Sequence, residues 1–130
     1  MKRRSYLTHI KDNKVLLVRK VDETVYKLPG GRGEEGETTK DTLTREVMEE
    51  LNTAVDENSI KLLANYVYRH PESLEDWDTS IFTADIGDKL KPDGKEIEET
   101  IWYSTDSPLE LGAHIKTHVM PILINGGFLK

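Results

Sequence analysis

The sequence contains no cysteine, which excludes disulfide bonds, thiol catalysis and zinc sites built from cysteine. It has no apolar run long enough to span a membrane. Its basic first ten residues are not followed by the apolar stretch of a signal peptide. Internal repeats, low-complexity stretches and linkers are also missing. We therefore expect a cytoplasmic protein whose residues 1–130 form a single domain, which is long enough to bury one core.

An excess of positive charge is missing as well, because the net charge is −6. The chain therefore has no basic footprint for a nucleic-acid backbone, and we expect neither a nucleic-acid polymer nor a membrane as its partner. A polyanionic small molecule would be repelled by this charge unless metal ions intervened.

The apolar pattern predicts one strong helix among five or six strands. Leu43, Val47 and Leu51 recur every four residues, with Met48 beside them. This helix is expected to begin near Thr38 or Thr39 and to end at Asn52. A second helix is expected over residues 116–124, kinked or delayed by Pro121. The predicted strands cover residues 4–10, 15–18, 25–28, 60–68, 78–84 and 97–104, the first two of them joined as a hairpin. This order favours an α+β fold with a mixed sheet over repeated βαβ units.

The segment from Gly31 to Thr53 joins a glycine-rich turn to this helix and carries several carboxylates. Glu46, Glu49 and Glu50 fall on one helical face, since residues three and four apart are neighbours there. Carboxylates held so close repel each other unless a cation lies among them. Hard divalent cations such as Mg²⁺ take oxygen ligands and commonly bridge to phosphates. The segment therefore predicts a metal site that handles a phosphate ester or anhydride.

Two other phosphate-binding motifs match this segment incompletely. Gly31, Gly33 and Gly36 satisfy the dinucleotide pattern G-x-G-x-x-G, but the chain lacks the βαβ unit that this reading requires. The P-loop pattern fits except at its lysine, where Glu37 stands. A reversed charge at that position removes the contact with phosphate, so the P-loop is rejected.

The whole segment resembles the Nudix box, G-x5-E-x7-R-E-U-x-E-E-x-G-U, in which U is an apolar residue. Two positions depart from it: Asn52 stands in place of glycine and Thr53 in place of an apolar residue. Asparagine still reaches the left-handed conformation that ends a helix. The matching residues, at the required spacings, are Gly31, Glu37, Arg45, Glu46, Val47, Glu49 and Glu50.

The resemblance, which extends less specifically to about residue 104, implies a MutT-like Nudix hydrolase. Such proteins fold as an α/β/α sandwich around a mixed sheet. They hydrolyse small nucleoside diphosphates linked to another moiety, using Mg²⁺ or Mn²⁺. Homodimers are common in the family, and this sequence alone leaves the oligomeric state open.

The resemblance also assigns a metal site to five residues. Glu49 and Glu50 are similar to the metal ligands of the family. Glu46 is similar to the residue that binds metal or deprotonates the attacking water. Gly30 matches the position whose carbonyl reaches the metal in some members, and Glu96 lies where some members draw a further ligand or the base.

Three residues of the box are expected to position the others. Arg45 and Glu37 are expected to pair and hold the loop against the helix, because the planar fork of arginine suits a carboxylate. Gly31 opens the box beside them. The catalytic set implied by the resemblance is Glu46, Glu50 and Arg45.

Several alternatives remain open at this point. A catalytically silent module that binds a nucleotide-like ligand is one, and an isomerase of prenyl diphosphates is another, although its usual cysteine is missing. Nucleoside triphosphates, nucleotide sugars, ADP-ribose and dinucleoside polyphosphates are all candidate substrates. Trp102 is expected in the core. The histidines (His9, His70, His114 and His118) show no metal spacing and are expected to be structural or on the surface. The tyrosines 6, 66, 68 and 103 are expected to pack, or to include a platform on which a base stacks.

Overall fold

The computed structural model describes all residues from 1 to 130 and contains eight strands and two α-helices. The helices are α1 (Thr39–Leu51) and α2 (Met120–Asn125), and a turn of π-helix (Ile115–Val119) leads into α2. A short 3₁₀ turn covers Glu57–Ser59. The strands are β1 (Lys2–Leu7), β2 (Ile10–Lys11), β3 (Lys14–Lys20), β4 (Tyr26–Lys27), β5 (Gly30–Arg32), β6 (Lys61–Arg69), β7 (Asp76–Thr83) and β8 (Ile97–Tyr103).

The strands form two sheets. The first has the order β5-β1-β7-β6, in which β1 and β7 are parallel and the other pairs are antiparallel. In the second sheet, β3 pairs with β2, β4 and β8, always antiparallel. The predicted α+β fold with a mixed sheet is therefore confirmed.

Alternate residues of the central strands point into two separate apolar clusters. On β3, Leu16 and Val18 lie in the cluster that contains the apolar stripe of α1. Val15 and Leu17 lie in the cluster that contains Ile115 and the other apolar residues of the C-terminal helix. Successive side chains of a strand point to opposite faces, so the two helical segments cover opposite faces of the sheets. This is the expected sandwich of helix, sheet and helix.

The ends of α1 follow from the residues that flank it. Thr38 caps the first turn by accepting a hydrogen bond from the Asp41 N–H, and Asp41 accepts one from the Thr38 N–H in return. Asn52 ends the helix in the left-handed conformation, with φ 54° and ψ 39°. The helix that carries the acidic residues is therefore fixed at both ends by its own sequence.

Three expectations about strands and core were wrong. Residues 4–10 do not form one strand of a hairpin: β1 joins the first sheet, and only Ile10–Lys11 pairs with β3. The glycine-rich turn expected before the helix instead begins with strand β5, because residues without a side chain allow their backbone to lie against β1. Trp102 is 38% exposed rather than in the core.

Candidate active site

Three carboxylates from two parts of the chain converge at one point. Glu46 and Glu50 lie one turn apart on α1, and Glu96 directly precedes β8. One ligand oxygen from each of these side chains lies within 4.8 Å of the others. Glu50 is only 2% exposed, Glu46 is half-buried and Glu96 is exposed, so the cluster leads from the core to the surface.

The environment of Glu50 opposes its ionisation unless a cation lies nearby. Burial raises the pKa of Glu50 to about 9, the N–H of Gly30 opposes this rise through a 3.2 Å hydrogen bond, and the Glu46 carboxylate adds to it. Burial also raises the pKa of Glu46, against the effect of Arg45. No lysine or arginine forms an ion pair with Glu50. A converging set of carboxylate oxygens that includes one buried member fits a hard divalent cation such as Mg²⁺.

Arg45 holds the loop before the helix against the acidic face. Its Nε and Nη2 donate to the two oxygens of Glu37 at 2.8 and 3.1 Å, and Nη2 also donates to the Arg32 carbonyl at 2.9 Å. Its Nη1 donates to Glu46 at 3.0 Å. Hydrogen bonding to Arg45 lowers the pKa of Glu37 to about 2, so this carboxyl stays ionised. The pairing of Arg45 with Glu37 expected from the sequence is thus present, and it reaches Glu46 as well.

The remaining predicted site residues lie around the cluster in different ways. Glu49 is exposed and accepts hydrogen bonds from Arg45 Nη1 at 3.2 and 3.3 Å, so it is not one of the three converging carboxylates. Gly31 lies against the Glu46 side chain, where an added Cβ would be 2.8 Å from the carboxyl carbon. Gly30 contacts the cluster through its N–H, and the expected role of its carbonyl as a metal ligand stays a prediction.

A cavity of about 760 Å³ opens from the acidic cluster across the first sheet. Its cationic lining includes Lys20 and Arg32, neither of which forms an ion pair. His114, expected to be structural or on the surface, lies in its wall, where burial lowers the pKa to about 4 and keeps the ring neutral at pH 7. Two further lining side chains, Arg4 and Trp77, were not expected from the sequence, whereas Tyr6 and Tyr68, which also line the cavity, are among the tyrosines expected to pack or to form a stacking platform. Arg4 and Tyr6 are two residues apart on one strand, as are Tyr66 and Tyr68 on another, so the sequence places each pair on one face. Which strands lie side by side is known only from the structure.

Replacing Arg45 with lysine is expected to lower kcat/KM by about 10- to 100-fold, the range found when groups that orient metal ligands are changed. A lysine ammonium cannot meet Glu37, Glu46 and the Arg32 carbonyl together in a fixed plane. The measurement is steady-state kinetics on the best substrate found. Arg69→Lys is the control, because Arg69 makes a similar fork to Asp76 and neither residue lines the cavity. Equal losses in both variants would contradict a special role for Arg45.

Comparison with known proteins agrees with this geometry. A family model described as the NUDIX domain matches residues 1–121, and the chain therefore belongs to the Nudix family. It is a hydrolase of that family, as the sequence predicted. Nudix hydrolases use divalent metal ions and act on small nucleoside diphosphate derivatives. No curated protein matches the chain.

Several solved structures share this fold, and some of them are named as Nudix hydrolases. A MutT NUDIX hydrolase from Burkholderia pseudomallei is 21% identical with a TM-score of 0.77, and the match covers 95% of each chain. A UDP-X diphosphatase is 21% identical with a TM-score of 0.83, covering 98% of this chain and 64% of that one. An ADP-ribose pyrophosphatase from Streptococcus suis is 20% identical with a TM-score of 0.74, covering 97% of this chain and 91% of the other. These likenesses confirm the Nudix fold.

The helices of this structure give no indication of a membrane span, since none is both long enough and apolar enough to cross a bilayer.

Proposed function

We propose that this chain hydrolyses the phosphoanhydride bond of a nucleoside diphosphate linked to a second group, with Mg²⁺ bound by Glu46, Glu50 and Glu96. The observation that carries the proposal is the buried Glu50 carboxyl, which has two acidic neighbours, forms no ion pair and lies at one end of a cavity whose lining includes cations. Mn²⁺ is the alternative ion, because it also accepts carboxylate oxygens.

The divalent cation would neutralise phosphate oxygens and acidify a bound water. Glu50 serves as a ligand that cannot move, because it is buried and tied to the Gly30 N–H. Glu46 is less buried than Glu50 and is held in place by Arg45, so we assign to its carboxylate, besides metal binding, the role of accepting the proton of the attacking water. Arg45 keeps the Glu46 side chain in place through the 3.0 Å hydrogen bond.

The cations of the cavity bind the rest of the diphosphate. Lys20 and Arg32 form no ion pair with a protein carboxylate and line the same cavity as Glu50. Their charge offsets the net negative charge of the protein at the place where a polyanion must enter. Attack of water on one phosphorus then leaves a nucleotide and a phosphorylated remainder.

Two of the solved structures with this fold are named for substrates of the proposed class, a UDP-linked compound and ADP-ribose. What these two compounds share is a nucleoside diphosphate joined to another group. Their bases differ, so the comparison supports the diphosphate part of the proposal and leaves the base open.

The test is release of nucleotide from a panel of nucleotide sugars, ADP-ribose, dinucleoside polyphosphates and nucleoside triphosphates, with Mg²⁺, with Mn²⁺ and with a chelator. Turnover of at least one compound that requires the cation is expected. Turnover of none would overturn the proposal and favour a module that only binds its ligand.

A matched pair of variants tests whether Glu96 belongs to the metal site. Glu96→Gln is expected to raise the Mg²⁺ concentration needed for half-maximal activity about tenfold or more, because it removes one of three charged ligands. Glu98→Gln changes an exposed glutamate two residues away that is outside the cluster, and its Mg²⁺ requirement is expected to match that of the wild type. Identical requirements in both variants would remove Glu96 from the site.

A further inference from the structure

One face of the first sheet forms a floor that leads away from the acidic cluster. Tyr6 pairs with Gly30, so this tyrosine lies beside the backbone that contacts Glu50. Two residues along the strand, Arg4 pairs with Thr79 of β7. Trp77 lies two residues before Thr79 on β7, and its partner on β6 is Tyr68. Because a strand rises about 3.3 Å per residue, Trp77 lies about 13 Å along the sheet from the level of Gly30.

The same cavity contains both ends of this floor. Trp77, Tyr68, Arg4 and Tyr6 line it together with the acidic cluster. The rings of Tyr6 and Tyr68 each lie near the ring of His114, at centroid distances of 5.3 and 4.6 Å. The part of the cavity that runs from Tyr6 to Trp77 is therefore a largely aromatic compartment, suited to a flat heterocycle.

Two hydrogen-bond donors in this compartment have no partner. Trp77 is 8% exposed, and its indole N–H is buried without an acceptor. The Nε–H of Arg4 is also buried without an acceptor. The guanidinium carbon of Arg4 lies 3.0 Å from the centre of the Trp77 ring. Buried N–H groups nearly always have an acceptor, so two unpaired donors in one stack indicate an acceptor supplied from outside the chain.

The charge and exposure of the neighbouring residues define which acceptor fits. Both unpaired groups are donors and neither can accept a hydrogen bond. The two acidic side chains of the cavity away from the cluster, Glu72 and Glu110, are exposed and stay hydrated. The compartment therefore suits an oxygen acceptor and opposes an amino group at the same place.

We propose that this compartment selects nucleotides whose base carries a carbonyl, such as the 6-oxopurines and uracil, over those that carry an amino group there. The carbonyl oxygen accepts from the Trp77 indole N–H and from Arg4, whose guanidinium turns from the ring to meet it. Arginine contacts guanine through the O6 and N7 acceptors in the same manner, whereas adenine and cytosine present an amino donor. The inference rests on the proposed function only in placing the diphosphate at the acidic cluster.

The test is calorimetric binding of IMP, AMP, UMP and CMP in the presence of Mg²⁺, which requires no turnover. IMP and AMP differ at position 6 of the purine, and UMP and CMP differ at position 4 of the pyrimidine. Wild-type protein is expected to bind the carbonyl member of each pair about tenfold more tightly or better, the effect of one well-made base contact. Trp77→Phe keeps an aromatic ring at this position but removes the N–H together with the rest of the five-membered ring of the indole, so this preference is expected to fall to threefold or less.

The second tryptophan supplies the matched control. Trp102 is exposed on β8 and does not line the cavity, so Trp102→Phe is expected to retain the full preference. Urea denaturation of both variants verifies that they fold. If Trp77→Phe weakened the binding of all four nucleotides by the same factor, Trp77 would have a merely structural role and the inference would be overturned. An equal affinity of the wild type within each pair, or no binding of any of the four, would also overturn it.

The binding measurement also separates this inference from the proposed function. A base preference that depends on Trp77, found in a protein without hydrolytic turnover, would support base selection by the compartment and overturn the proposed hydrolysis. Turnover of nucleotides of all four bases at equal kcat/KM, with equal affinities, would support the proposed hydrolysis and overturn base selection by the compartment.

Discussion

The Glu50→Gln variant is expected to lose at least about a thousandfold in kcat/KM, which corresponds to about 4 kcal/mol of transition-state stabilisation. Glutamine keeps the shape of the side chain and the hydrogen bond from the Gly30 N–H, but it removes the charge that would bind the cation. Kinetics with Mg²⁺ at several concentrations make the measurement. Recovery of wild-type turnover at high Mg²⁺ would show that Glu50 contributes only to the affinity for Mg²⁺ and not to the chemical step.

The same variant is expected to be more stable than the wild type when a chelator removes divalent cations. The folded-state pKa of Glu50 is about 9, above the ordinary value of 4.5, so the folded chain binds this proton more tightly than the unfolded chain. The contribution of Glu50 to the wild-type free energy of unfolding is therefore fully present below about pH 4.5 and is lost as the pH rises toward 9, by at most about 1.4 kcal/mol per pH unit. Glutamine does not titrate, so the variant does not lose this stability as the pH rises. Its amide nitrogen can also donate a hydrogen bond to the Glu46 carboxylate.

Urea denaturation of both proteins in chelator at several pH values between 5 and 9 tests this stability difference. The gap between Glu50→Gln and the wild type is expected to widen as the pH rises. Saturating Mg²⁺ is expected to stabilise the wild type, by about 2.7 kcal/mol at a hundred times the dissociation constant, and to leave the variant nearly unchanged. A variant that is the less stable protein in chelator at every pH would contradict the account of a strained buried carboxylate.

The Gly30→Ala variant is expected to lose more than about 4 kcal/mol of stability, enough to unfold many domains. A Cβ at this position would lie 2.2 Å from the Ser5 carbonyl oxygen and 2.8 Å from the Tyr6 Cα, both of which are backbone atoms. The residue also has φ +137°, a conformation that is strained for any residue except glycine. Relief would require β5 to separate from β1.

Urea denaturation measures this loss, and Gly36→Ala is its control. Gly36 also has a positive φ, +84°, but an added Cβ would meet nothing within 4 Å. Its cost is therefore that of backbone strain alone, about 1 kcal/mol. A Gly30→Ala protein as stable as Gly36→Ala would show that the approach of β5 to β1 is looser than the structure indicates.

The helix of the site could be predicted from the sequence because its signals are local. The apolar stripe of Leu43, Val47 and Leu51, the cap at Thr38 and the left-handed Asn52 all lie within one segment. The same holds for the Arg45–Glu37 pair, since both residues are in the box. The Nudix fold and family followed from that segment and were confirmed.

Features that depend on pairing between distant segments could not be read in this way. The burial of Glu50 requires β5 to lie against the helix, and β5 was expected to be a turn. The exposure of Glu49 and the approach of Glu96 depend on where the loop before β8 lies. Likewise, the compartment around Trp77 is assembled from β1, β6 and β7, whose register no local pattern specifies.

Binding of Mn²⁺, followed by the loss of the free-ion electron paramagnetic resonance signal, tests the metal site most directly. The wild type and Glu98→Gln are expected to bind the ion with the same affinity, and Glu50→Gln is expected to bind it at least tenfold more weakly. Unchanged binding by Glu50→Gln, or no binding by the wild type with or without nucleotide, would contradict the assignment of the cation to this cluster.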